Sequence, residues 1–155
     1  MKVLGVDPGL ERMGYGFVTR EGSRLVPGRY GLIETPRIGI SDRLLLLHEG
    51  LLALIDEEQP TVLATEKLFF SVNKRTAMDV AKAVGVILLA GAERNLPWSE
   101  LSPPEIKLGV VGNGAADKKQ IQFMVTRLLG LTETPKPDDV ADALAIAIAR
   151  ALRGV

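Results

Sequence analysis

Val3-Leu4-Gly5-Val6-Asp7-Pro8-Gly9 sets the terms on which the rest of the chain is read. Residues 3–6 are apolar or small without alternation, which fits a strand buried on both faces. Pro8-Gly9 breaks the strand immediately after an acidic side chain. The stretch Thr61-Val62-Leu63-Ala64-Thr65-Glu66 repeats the design, a mostly apolar strand closed by an acid. Between them, Gly14-Tyr15-Gly16-Phe17-Val18-Thr19 and residues 25–34 read as two further strands joined by a tight turn at Glu21-Gly22-Ser23.

Helices fill the intervals. Ser41 is predicted to cap a helix whose Leu44, Leu47, Leu51, Leu54 and Ile55 share one stripe. A long helix is expected over 75–94, with Ala77, Ala81, Val84, Gly85, Leu88 and Ala92 making it apolar on more than one face. Residues 97–101 suit a short fifth strand, Pro104 starts a short helix, and Val110-Val111-Gly112-Asn113-Gly114 reads as a glycine-rich loop. Helices over 117–129, ended by Gly130, and from about Asp138 to Leu152 complete the chain. Strands first, then strand and helix in alternation, predict an α/β fold: a mixed five-stranded sheet flanked by helices.

A chain of 155 residues suits a single domain over 1–155. The longest apolar run, Val84 to Ala92, is well short of the ~20 residues that span a bilayer, and the start is too short for a signal-peptide core. A soluble, cytoplasmic protein that uses no membrane is the expectation. With no Cys, disulfides, thiolate catalysis and Cys-ligated zinc are excluded. The net charge of zero argues at first against a nucleic-acid partner. Its distribution reverses that: residues 1–66 hold seven Lys/Arg against ten Asp/Glu, whereas 67–131 hold nine against five. An acidic part and a basic part coexist in one small chain, so neutrality does not decide against such a partner.

Asp7 and Glu66 each close an apolar strand, and strand ends form the ligand crevice of open sheets. Asp139 and Asp142 are three apart at a helix start, on one face and ~5–6 Å apart at Cβ. Two like charges ~4 Å apart cost about 4 kcal/mol at an effective dielectric near 20. Set against a total stability of ~5–15 kcal/mol, four clustered carboxylates imply bound cations or raised pKa values. Oxygen ligands suit hard ions such as Mg²⁺ and Mn²⁺. Taken singly, each acid has a structural reading. Asp138 and Asp139 suit the first turn of any helix, and Asp7 before Pro-Gly is a good turn residue.

Four stretches in order give the chain a family likeness. They are Leu4-Gly5-Val6-Asp7-Pro8-Gly9 with Gly14-Tyr15-Gly16, then Glu66-Lys67-Leu68-Phe69, residues 110–114 with Lys118, and Asp139-Val140-Ala141-Asp142-Ala143-Leu144-Ala145-Ile146-Ala147. Along nearly its whole length the sequence resembles the RuvC Holliday-junction resolvases. The resemblance implies an RNase H-like fold, a homodimer, and Mg²⁺-dependent nicking of two symmetric strands of four-way junction DNA. It matches Asp7, Glu66, Asp139 and Asp142 to the catalytic, metal-holding acids, two Mg²⁺ per subunit with Mn²⁺ as a substitute. Phe69 matches an aromatic that stacks on an unpaired base, and Lys107 and Lys118 match residues that contact the DNA backbone. A RuvA–RuvB branch-migration complex is the implied partner. Asp138, four residues before Asp142, is a rival for the ligand role.

Beside the acids, Asn73, Lys74 and Arg75 are placed to meet phosphate at a helix start, and Lys118, Lys119 and Arg127 form a candidate basic edge. Phe70 and Trp98 suit packing, and His48 on its Leu-rich helix suits a structural role. The doubly apolar helix 75–94 is the candidate dimer interface, with an ordinary core helix as the rival reading. Two other functions share these features. The strand–Asp–Gly opening also serves actin-like and sugar-kinase ATPases, which need a second domain, and a non-catalytic junction-binding module would use the acids only as caps.

Overall fold

A computed structural model describes residues 1–68 and 74–153, leaving aside the side chains of residues 74 and 75. The chain runs β1 (Lys2–Asp7), β2 (Arg12–Glu21), β3 (Arg24–Glu34), α1 (Ile40–Glu58), β4 (Val62–Glu66), α2 (Lys74–Glu93), β5 (Trp98–Leu101), α3 (Pro103–Val111), α4 (Lys118–Leu128) and α5 (Asp138–Leu152). The five strands form one sheet in the order β3-β2-β1-β4-β5. β1 pairs antiparallel with β2, and β2 with β3, whereas β1–β4 and β4–β5 are parallel. The mixed sheet read from the sequence is therefore present.

Alternation along each strand sorts side chains into two layers. Leu4, Val6 and Leu63 join Leu47, Leu51, Leu54 and Ile55 of α1 and Ala83, Ile87 and Ala90 of α2 in one core. Val3, Val62 and Ala64 join the opposite core, built from α3, α4 and α5. The predicted α1 stripe is the face that goes inward, with Leu44 partly buried against it. Among the described residues, no helix is long and apolar enough to cross a membrane.

Ten of the fifteen residues of α5 are buried, six of them alanines. Small side chains let this helix lie close to the sheet. Glycines complete the track: a Cβ on Gly5 would collide with the Ala143 carbonyl oxygen, and one on Gly14 with that of Asp139. Close approach at these positions sets how near the first turn of α5 comes to the end of β1.

Two expectations need correction. Ser41 is not the cap of α1, which starts at Ile40 with Gly39 in the N-cap position and no side-chain cap bond. Val110 and Val111 are not loop but the last turn of α3, which begins at Pro103. Val110 is buried in the core with α5, and this packing carries the helix on to Gly112, whose positive φ of 81° ends it. The start of α3 is fixed by a capping box: Ser102 Oγ accepts from the Glu105 amide, and the Glu105 carboxylate accepts from the Ser102 amide at 2.7 Å.

Candidate active site at the strand ends

Asp7 and Glu66 meet because β1 and β4 are parallel neighbours in register. Gly5 pairs with Ala64 and Val6 with Thr65, so the two acids stand one step further along adjacent strands. Both fall on the side of the sheet that carries α5, since Val3, Val62 and Ala64 two and four positions earlier do so. Asp139 and Asp142 approach from above, on the first turns of α5. The acids predicted from three separate parts of the sequence thus lie around one end of the sheet.

Their electrostatics record the convergence. Burial pushes the Asp7 carboxyl up from 3.8 to about 8, reinforced by the charges of Asp142, Asp139 and Glu66 and opposed by Lys118. Glu66 is raised by burial and by Asp142, with Lys107 pulling the other way. Asp142 is raised chiefly by burial, against the opposing ammonium of Lys118. The charges of all three other carboxylates bear on Asp7.

The basic residues flank this centre unequally. Lys107 on α3 and Lys118 on α4 line a cleft of about 250 Å³ with Glu66 and Asp142, floored by Ile106, Ala116, Ile121, Ala145 and Ile146. The Lys118 Nζ lies 3.0 Å from Asp138 Oδ2 and 3.8 Å from Asp142 Oδ2. Lys119 is exposed and does not line the cleft. Arg127 stands 5.7 Å over the ring of exposed Phe123. Phe69, Asn73 and the side chain of Arg75 lie outside the described residues. His48 bridges α1 to α2 through Glu93 at 3.0 Å, and Trp98 donates to the Thr65 hydroxyl, so both serve structure.

Arg12 was not foreseen as part of this site. Its guanidinium lies 3.5 Å from Asp139 Oδ2. A local signal for it exists: Asp7 pairs with Gly14 across β1 and β2, and Arg12, two residues before Gly14, points to the same face. Asp138, weighed from the sequence as a further ligand, is instead the acceptor of Lys118 and of the Gln122 side-chain amide.

The donor set suits a hard divalent cation: carboxylate oxygens only, with a partly buried Asp7 whose ionised form needs nearby positive charge. Among the described residues, no group of three or more His, Cys, Asp or Glu side chains forms a ready-made metal-binding set. Arg12 and Lys118 engage Asp139 and Asp142, so the carboxylates of α5 are turned toward the chain's own cations.

Comparisons with known proteins bear on the whole of this arrangement. Residues 3–150 match the family model of crossover junction endodeoxyribonuclease RuvC. The crossover junction endodeoxyribonuclease RuvC of Desulfitobacterium hafniense (strain DSM 10664 / DCB-2) is 51% identical over 152 residues, covering 97% of this chain and 92% of that protein. The structure of Thermus thermophilus RuvC superimposes with a TM-score of 0.91 at 33% identity, over 98% of this chain and 94% of that one. The same protein in complex with Holliday junction substrate gives 0.94 at 32% identity, over 99% and 94%. The fold is therefore RNase H-like. With the acids gathered at the strand ends and near-complete coverage in sequence and structure, the chain belongs to the crossover junction endodeoxyribonuclease RuvC family.

Proposed function

We propose that this protein is a structure-selective endonuclease that resolves four-way DNA junctions by paired, symmetric nicks, with Asp7, Glu66, Asp139 and Asp142 holding two divalent cations, Mg²⁺ or Mn²⁺. The observation that carries the reading is geometric: β1 and β4 end in register on Asp7 and Glu66, and the first turns of α5 bring Asp139 and Asp142 over the same end of the sheet. Membership of an endodeoxyribonuclease family supports the reaction class. Two bound cations would activate the attacking water and stabilise the leaving 3′ oxygen.

The chain's own residues account for the rest. Lys107 and Lys118 present ammonium groups at the cleft beside Glu66 and Asp142, where a backbone phosphate arriving at the acids would otherwise meet only negative charge. The apolar floor of Ile106, Ala116 and Ile121 keeps water from that side, which strengthens each charge interaction. Phe69, Asn73, Arg75 and Lys119 are assigned to DNA contact on the sequence and family likeness. A homodimer through α2 suits the two-fold symmetry of the substrate, since paired nicks need two sites. Support comes from its outer face, where Met78 and Leu89 are 60% and 53% exposed. A RuvA–RuvB partner and a cytoplasmic location rest on the family membership and the DNA substrate.

Incubation with a synthetic four-way junction, with and without Mg²⁺, tests the reading. Paired nicks that require the ion are expected. Asp7→Asn should bind the junction as the wild type does and lose cleavage by ~10³-fold or more, about 4 kcal/mol of barrier. Undiminished cleavage by that variant would remove Asp7 from the centre of the mechanism.

A further inference from the structure

Asp138 stands next to the four carboxylates and behaves differently from them. It opens α5 and is exposed. Its Oδ2 lies 3.0 Å from Lys118 Nζ, and its Oδ1 accepts from the Gln122 side-chain amide at 3.1 Å. Lys118 and Gln122 are four residues apart on α4 and so present one face to it. The Asp138 carboxylate is directed to α4 rather than to the centre of the site.

This geometry places the Lys118 ammonium between an acid outside the catalytic set, at 3.0 Å, and one inside it, at 3.8 Å. A lysine ammonium is a compact charge with three donors on a flexible stem, and it moves to the nearest strong acceptor. Without Asp138, that acceptor is Asp142. Lys118 and a divalent cation would then compete for the same carboxylate oxygens.

We propose that Asp138 is a positioning residue that draws Lys118 aside, so that Asp142 remains available to a divalent cation while the ammonium stays at the cleft. The proposal rests on the reading of Asp142 as a metal ligand. It differs from assigning Asp138 itself as a ligand, because its effect passes through Lys118. Asp138→Asn keeps an oxygen to accept from Gln122 and removes the charge that holds the ammonium.

The test is Mn²⁺ alone titrated into the full-length, DNA-free protein, with free Mn²⁺ read by electron paramagnetic resonance. Asp138→Asn should weaken Mn²⁺ binding by about twofold to fivefold, the range of one partly screened ion pair. In a Lys118→Met background the same substitution should leave the affinity unchanged. An equal loss in both backgrounds would overturn the proposal, because a ligand or a simple field effect needs no lysine. No loss in either would overturn it as well. Asp138→Ser, which lacks both charge and amide, should follow Asp138→Asn in each background; a Ser variant with wild-type affinity counts against the mechanism. The parent reading is checked separately in the same titration: if Asp142→Asn binds Mn²⁺ as tightly as the wild type, the assignment of the site itself fails.

Discussion

Gly5, on β1 beneath α5, and Gly85, within α2, are glycines at two apolar helices, and their surroundings differ completely. A Cβ on Gly5 would run into the backbone of α5 at Ala143 and Ala147, whereas one on Gly85, midway along α2, would meet nothing within 4 Å. The two helices follow the same division. α5 is buried along ten residues, with its alanines against the sheet. Among its described residues, α2 commits Ala83, Ile87 and Ala90, with Val86 partly buried beside them, to the core, leaving Met78 and Leu89 largely exposed on the other side. One apolar helix is spent on bringing two acids to the strand ends. The other has apolar surface left over, of the kind that marks an interaction site.

Substitution of Gly5 breaks the α5 side of this comparison most severely. Gly5→Ala forces the helix away from β1 at the carbonyl of Ala143, a contact with backbone that no rotamer change relieves. Overpacking of this kind costs about 1–3 kcal/mol and sometimes more. At 2–4 °C per kcal/mol for a chain of this size, the melting temperature should fall by roughly 6–12 °C at the upper end of that range. A calorimetric scan showing an unchanged melting temperature would mean that α5 has slack the structure does not show.

Asp7 sharpens the same region from the electrostatic side. Its folded-state pKa is about 8 against an ordinary 3.8, so between these values the folded chain holds more protons than the unfolded one. Stability from this group is therefore complete at low pH and is lost as pH rises through the window. Asp7→Asn removes the penalty. It should raise metal-free stability near pH 7.5 by about 1–3 kcal/mol, less than the full offset because the site is partly open to water. The gain should vanish as pH falls towards about 4 and narrow when millimolar Mg²⁺ is added, since the ion stabilises only the wild type. A variant less stable than the wild type at pH 7.5 without metal would contradict the crowding of charge at this strand end.

The strand-end acids were legible because their signals are local. An apolar run closed by Asp7 or Glu66 marks a strand end, and a spacing of three fixes Asp139 and Asp142 on one helix face. The sequence predicted a mixed sheet, and the structure supplied the parallel register that joins β1 to β4. The pairings of Arg12 with Asp139 and of Lys118 with Asp138 were not legible, because each depends on where two distant elements dock. Helix ends failed for related reasons. Ser41 has the chemistry of a cap, yet the N-cap position of α1 falls two residues earlier, on Gly39. Val110 lies beside Gly112 in sequence, but its burial among the residues packed with α5 keeps it helical. Local chemistry proposed these boundaries, and for α3 packing against α5 set the outcome.

The smallest effect is expected on the open side, where Gly85→Ala tests whether α2 faces water or another copy of the chain. A helix-interior glycine costs roughly 0.5–1 kcal/mol relative to alanine, and nothing at this position obstructs the added methyl group. At dilution where the protein is monomeric, Gly85→Ala should therefore raise the melting temperature by about 1–4 °C, opposite in sign to Gly5→Ala. Sedimentation equilibrium on the same variant supplies the second half. Met78, Ala81, Gly85, Leu89 and Ala92 recur at intervals of three and four, so they lie on one face, and Gly85 is where another helix could come closest. If that face joins two protomers, alanine should weaken association while stabilising the subunit, and Leu89→Glu should abolish association by placing charge in the apolar contact. A tighter subunit with unchanged self-association would assign the exposed face of α2 to water and send the search for the dimer contact elsewhere.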